Sequence, residues 1–449
     1  MVNYLGRLNA AVSVVAITNA NSTNPDFPEY KWNEKQKSYI LSSFYWGYNL
    51  TQFLASYFCR TFGSKPTLLL STMGSACLAL ITPASIAWGG WQVYCCIRMF
   101  QGLFQGMVIP SIHDHLANWA PIEERTRLGA LSLTGMEMGA LFAMAVPGLI
   151  AHSRWGWPGI SFFSGGIGLI WCGLWILFAN SNPVVSRFIS QEEKLFILTS
   201  QKKTDCDRQK IPIPWKAIFT SVPFLSLVTV RMAESWGLST LQLQIPTYLH
   251  GVLKMDIKSN ALFSALPYVM MFIMAYVYLI SADIVLTKKI VSLTVLRRTL
   301  NSIAMWIPSI TLIALGFMDE SHRLLAIILV TITIGVNGGV SIGSGLNAID
   351  LSSNHAAVLM GVVNTVVSQT FMLAPLFVGI IVDDETDRSQ WQIVFLVSAL
   401  AFFLGNLQYI FFGTTNTQPW NDEDFYLINV LEKPNFIQPK SNRSSKSVC

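Results

Sequence analysis

Apolar residues in this chain run in long blocks separated by short polar breaks. The blocks at 67–87, 261–286 and 393–413 each reach the roughly 20 helical residues that cross a hydrocarbon core of about 30 Å. Setting every apolar run against its flanking breaks predicts twelve spans: 2–19, 37–58, 67–87, 92–113, 129–151, 159–179, 221–245, 261–281, 299–318, 324–345, 357–382 and 393–413. The longest polar stretch, 180–216, separates them into two sets of six. The expected organisation is an N-terminal six-span bundle over 1–179 with a short first helix, a connecting loop over 180–220, and a second six-span bundle over 221–413. A tail follows from 414 to 449, ending SNRSSKSVC, with the composition of a disordered segment.

Composition narrows the class. Of 449 residues, 52% are hydrophobic and 12% charged, about half the charge of an ordinary soluble domain. A disordered protein, a nucleic-acid-binding module and a typical cytosolic enzyme are thereby excluded as leading readings. The net charge of +5 says less than its placement. With both termini inside, nineteen of the 30 Lys and Arg fall in cytoplasmic segments and eight in outer ones, while Arg7, Arg98 and Arg231 lie within spans. Basic residues are retained on the cytoplasmic side, so both termini are expected there. Asn21-Ser22-Thr23 is a glycosylation sequon in the first outer loop. No cysteine falls in an outer segment, so no disulfide framework is implied. The first apolar stretch carries Arg7 at its middle and lacks a basic leader, unlike a cleavable signal peptide.

The charges inside spans are the candidate chemistry. An arginine at a helix centre costs about 2.5–3.5 kcal/mol on insertion scales, so it faces a cavity or a partner. Arg98, Gly102 and Gln105 share one helix face. On that face a guanidinium offers a planar donor fork for a carboxylate or phosphate; the alternative is a structural pair with Glu137. Arg7 has the same chemistry, or snorkels to the cytoplasmic surface from its short helix. Glu137 and Glu234 are candidate coupling groups for a proton or sodium, or neutralise Arg98 and Arg231. His113 is a gating candidate or part of a solvated helix end. It does not share a metal with His115, because residues two apart on a helix point about 200° apart. Asn347 and Asp350 are candidates for an inner gate or a helix cap. Tyr48 is expected to line the cavity, or to pack or anchor with Tyr45 and Trp46. Gly339-Val340-Ser341-Ile342-Gly343 matches G-x-S-x-G but lies in a hydrophobic helix, where small residues serve packing or bending, as do Gly102 and Gly106.

Ordered local strings go further. They are Ile40-Leu41-Ser42-Ser43-Phe44-Tyr45-Trp46-Gly47-Tyr48, Arg98-Met99-Phe100-Gln101-Gly102, Pro110-Ser111-Ile112-His113, Asn118-Trp119-Ala120-Pro121, Pro214-Trp215-Lys216, Ser264-Ala265-Leu266-Pro267-Tyr268, Trp391-Gln392-Ile393-Val394-Phe395 and Gln418-Pro419-Trp420. Over nearly the whole chain they resemble the sodium/phosphate and organic-anion cotransporter family, which includes sialin and the vesicular glutamate transporters, with the insect phosphate-cotransporter-like branch nearest. The resemblance implies an all-α, twelve-span major facilitator fold, two six-helix bundles around a central cavity. It also implies transport of a small anion, phosphate or organic, by alternating access. It carries the family's arginines onto Arg7 and Arg98, and its histidine onto His113. Proton-coupled members have a glutamate where this chain has Gln105, which favours sodium as the co-transported ion over a proton. The glutamate transporters' seventh-span arginine aligns with Glu234, which argues against glutamate. Family members have roughly a dozen more residues before the first-span arginine, so Met1 is expected to start partway into that helix. No resident cofactor or metal is expected; the partners are a small anionic solute and the bilayer, with no nucleic acid, in a monomer. The plasma membrane is favoured over a lysosomal or vesicular one. A proton-coupled, sialin-like transporter and a non-transporting anion sensor stay open as alternatives.

Overall fold

The computed structural model describes residues 1–19, 24, 26–121, 125–186, 189–205, 213–422 and 425, and among these every regular element is a helix. The first half holds α1 (Val2–Ile17), α2 (Glu34–Phe62), α3 (Ser64–Gln105), α4 (Val108–Trp119), α5 (Arg125–Ala151) and α6 (Gly156–Phe178). Two shorter helices follow, α7 (Gln191–Asp205) and α8 (Trp215–Thr220). The second half holds α9 (Val222–Gly251), α10 (Ile257–Thr287), α11 (Leu293–Leu315), α12 (Arg323–Asn337), α13 (Asn347–Leu351), α14 (Ala356–Ile381) and α15 (Arg388–Phe412).

These helices account for twelve crossings. α3 doubles back at Gly90, whose φ of 62° lies in the left-handed region that a Cβ disfavours. Ser71 Oγ donates to the Phe104 carbonyl at 2.6 Å, so the two arms lie side by side. The second arm continues into α4 as span 4. Span 10 breaks at Gly338 into a 3-10 turn, Gly338–Ser341, before α13. The small residues of the G-x-S-x-G string therefore sit at a bend in the crossing. The chain's first residue and the end of α15 lie on one side, called here the terminal face. The α1–α2, α5–α6, α9–α10, α11–α12 and α14–α15 connections lie on the other, the far face.

Composition alone marks only some of these helices as membrane spans. Ser64–Leu116, Gly156–Phe178, Leu262–Thr287, Glu320–Ser341, Val358–Ile381 and Arg388–Phe412 are long and apolar enough. α2 and α9 are outside that group because they bury polar residues, among them Ser42, Ser43 and Asn49, and Glu234, Gln242 and Gln244. The halves meet along α2 with α14, α5 with α10, and α1 with α9.

Close helix approach positions the interior side chains. A Cβ at Gly102 would overlap the Phe44 carbonyl, and one at Gly47 would overlap that of Met99. α2 and the second arm of α3 thus touch backbone to backbone. Lipid is as apolar as the side chains, so it is contact of this kind that holds helices together. The polar segment between the halves contains α7, which the sequence reading leaves as loop.

Candidate functional site

Arg98 projects from the second arm of α3 into the first bundle and is 2% exposed. Its Nη1 donates to the Gly6 carbonyl at 3.2 Å and to Gln101 Oε1 at 3.0 Å, and its Nη2 to the Arg7 carbonyl at 2.9 Å. These acceptors are neutral, so the hydrogen bonds orient the guanidinium without cancelling its charge. Its Nε has no partner among the described residues, and its carbon lies 4.8 Å from the centre of the Phe44 ring. α1 is held by the same bonds, since two of its carbonyls are the acceptors.

Arg7 does not snorkel. Its guanidinium lies 4.5 Å from the ring centre of Tyr48, 5.2 Å from Tyr4 and 5.3 Å from Phe44. Aromatic faces attract a cation through the ring quadrupole but add no countercharge. Arg7 Nε is buried without a partner, as are the hydroxyls of Tyr45 and Tyr268. Tyr268 belongs to α10 in the second half, and Phe371 of α14 packs on Tyr45 with centroids 5.3 Å apart. Two guanidiniums and a ring of phenols thus meet between the halves. Phe44, Tyr45 and Tyr268 lie in strings that carry the family resemblance, but only Tyr48 is singled out there as a cavity residue, and Tyr4 lies in none of those strings.

The remaining candidates fall at several places. Gln105 Nε2 donates to Ser75 Oγ at 2.8 Å, while its Oε1 is unpartnered. It borders a cavity of about 20 Å³ lined also by Asn3, Thr72, Gln101 and Ser164, room for about one water. Glu234, buried in α9, pairs with Arg231 at 3.2 Å. Asp350 receives Arg297 Nε at 3.0 Å and Nη2 at 3.3 Å, fastening α13 to α11. Asn347 donates to the Thr414 carbonyl at 2.8 Å. His113 is exposed in α4, its Nδ1 2.9 Å from the Ile109 carbonyl. Arg7, Arg98 and Tyr48 therefore converge, with Gln105 alongside; His113, Asn347 and Asp350 lie toward the terminal face. Glu137 lies in α5 with its side chain outside the described residues, and Asn21 is outside them altogether.

This architecture has relatives. Residues 2–369 match the family described as Major Facilitator Superfamily. The chain belongs to that superfamily. Among its relatives is the protein named "Putative inorganic phosphate cotransporter" of Drosophila ananassae, 32% identical over 93% of this chain and 91% of that one. Vesicular glutamate transporter 1 of Xenopus tropicalis is 30% identical over 93% and 73%. Human sialin is 28% identical over 94% and 88%. Among solved structures, the xylose transporter of E. coli in a partially occluded inward-open state superposes with a TM-score of 0.68 at 13% identity, covering 92% of this chain and 96% of that one. A bacterial homologue of the lysosomal transporter Spinster gives 0.66 at 13% identity, covering 93% and 97%. As a superfamily member the chain is a multi-pass membrane transporter and not an enzyme.

Proposed function

We propose that this chain is a secondary active transporter of a small anion, inorganic phosphate or an organic anion, bound by Arg98 and Arg7. The observation that carries the reading is electrostatic. Among the described residues, two inward guanidiniums, each with a buried unpartnered Nε, are bonded only to neutral oxygens and aromatic faces. The buried described carboxylates have cations of their own, Glu234 with Arg231 and Glu34 with Lys37. An anion between the halves supplies the missing countercharge. The planar donor fork suits carboxylate and phosphate oxygens, and Tyr45 and Tyr268 have hydroxyls to offer. The relatives named for phosphate and glutamate support the same class.

Alternating access follows from the two-bundle design, in which one bundle rocks against the other around a central site. Both termini lie in the cytoplasm, so the far face is outward, and the plasma membrane is the favoured location. Importing an anion into a negative cytoplasm costs about 2.3 kcal/mol per charge at 100 mV, so uptake needs a coupling ion. Gln105, which cannot carry a proton, favours sodium. A proton-coupled organic-anion transporter is the second reading, with Glu234 as the group to watch.

Uptake of labelled phosphate, urate, sialate and glutamate into proteoliposomes, with sodium or choline outside, tests both parts. Saturable uptake of one anion, concentrative only with sodium, is expected. Uptake of none of them, with binding retained, would instead mark an anion sensor. Concentrative uptake unaffected by choline would discard sodium.

A further inference from the structure

The surface between the halves carries a second ionic cluster, at the far face and away from the guanidiniums. In the first turn of α2, Lys37 Nζ lies 2.7 Å from Glu34 Oε1. It also lies 2.7 Å from Oε2 of Glu385, in the α14–α15 connection of the other half. Glu34 and Lys37 are each 6% exposed. Two carboxylates around one ammonium leave a net charge of −1 at a site where Glu34 and Lys37 are out of water and Glu385 is partly exposed. Both carboxyls meet the same ammonium, an arrangement that two ionised groups oppose and one shared proton stabilises. Burial, offset in part by Lys37 and reinforced by Glu385, pushes Glu34 up to about 7.

The cluster is built into the contact that shuts this face. Gly379 of α14 packs directly on Ser38, where a Cβ would come 2.5 Å from its hydroxyl. The Glu385 carbonyl accepts from Trp391 Nε1 at 3.0 Å and abuts Gly251 at the end of α9. Around it, Lys35 pairs with Asp383 at 3.4 Å in an exposed bridge. Asp384, bonded to Thr386 and facing Lys254, is held below the usual carboxylate range. His250 of α9 bonds Asn19 beyond α1 and lies against the Met255 carbonyl. In the same connection, Asp387 accepts from Ser389 N and Arg388 lies 3.8 Å from Asp319.

We infer that Glu34, Lys37 and Glu385 form a proton-binding latch between the halves. One proton shared by the carboxyls lets Lys37 hold the far face shut, and its release lets the halves part there. The inference rests on the alternating-access reading above and adds a ligand, the proton, at a site distinct from the anion's. Opening withdraws Glu385 and leaves Glu34 in water with an ordinary value near 4.3. The closed state therefore binds the proton more tightly. Acid favours closure, and the advantage is lost as pH rises through about 7. With those two values the closed-to-open ratio is expected to rise about tenfold from pH 8 to pH 6.

The test is double electron–electron resonance between nitroxides at Trp155 and Phe317, both exposed on the far face in opposite halves, with the seven cysteines replaced by serine and the protein in lipid vesicles. The short-distance population is expected to gain about tenfold on the long one between pH 8 and pH 6. Glu34→Gln, which mimics the protonated group, should hold the short distance across that range. Glu385→Gln leaves a neutral Glu34 and Lys37 pair and should move the response below pH 6. Both variants are checked for thermal unfolding like the parent. Distances that move with saturating phosphate at pH 7.4 but not with pH would overturn the latch alone. So would a full pH response in Glu34→Gln, which would point to His250 instead. Distances that respond to neither would overturn alternating access as well.

Discussion

At the residue scale, the proposed anion site is a matter of countercharge. Arg98 and Arg7 were legible from sequence because an arginine in an apolar block has to be explained. What sequence leaves open is which explanation applies: Arg7 had an escape to the surface, and only the packing of Tyr4, Phe44 and Tyr48 around its guanidinium settles where it lies. Cation–π contacts of this kind are worth about 0.5–2 kcal/mol. Tyr48→Phe keeps the ring and is expected to change the anion's KM by less than about threefold. Tyr48→Ala, losing it, should raise KM by about tenfold; equal KM values in the two variants would remove Tyr48 from the site. A different outcome is expected at Glu234. Arg231→Gln strands a buried carboxylate and should cost about 1–3 kcal/mol, below the figure for a fully buried pair because Arg231 is partly exposed. Adding Glu234→Gln should restore most of that loss in a thermal unfolding series; a strictly additive double variant would show that the two do not interact.

At the scale of elements, hydrophobic blocks give spans directly because lipid leaves helices few alternatives. Two interruptions were legible as well: Gly90, where α3 doubles back, falls in the break expected between 87 and 92, and the 3-10 turn at Gly338–Ser341 runs into the small-residue string expected to serve packing or bending. α7 was missed because its polar residues lack an apolar face, which is the signal that marks a helix in a connection. The Gly102 contact was anticipated as small-residue packing, though not its partner. Gly102→Val drives a side chain into the Phe44 carbonyl and should lower the unfolding temperature by several degrees with loss of uptake. Gly166→Ala in α6, with nothing within 4 Å of the new Cβ, should be neutral or slightly stabilising. Comparable melting of the two would mean that α2 and α3 do not approach this closely.

At the scale of the whole molecule, bonds that join the halves among the described residues run from the far face to the middle, among them Asn19 with His250, Lys35 with Asp383, Lys37 with Glu385, Ser42 with the Met372 carbonyl, Asn49 with the Met372 sulfur and Ser368 with Gln52. None of these pairs was readable in sequence. Each joins positions more than 200 residues apart, and Lys37 counted there only as one more outer charge. The fold was legible because it depends on local apolar runs; the connections between halves depend on three-dimensional register. The central claim is that the two guanidiniums bind the transported anion. Equilibrium binding of the labelled anion to purified parent and to Arg98→Gln, both shown to unfold at similar temperatures, tests it most directly. Saturable binding by the parent and at least a hundredfold weaker binding by Arg98→Gln is the expected result. Binding of equal strength in the two proteins would contradict it.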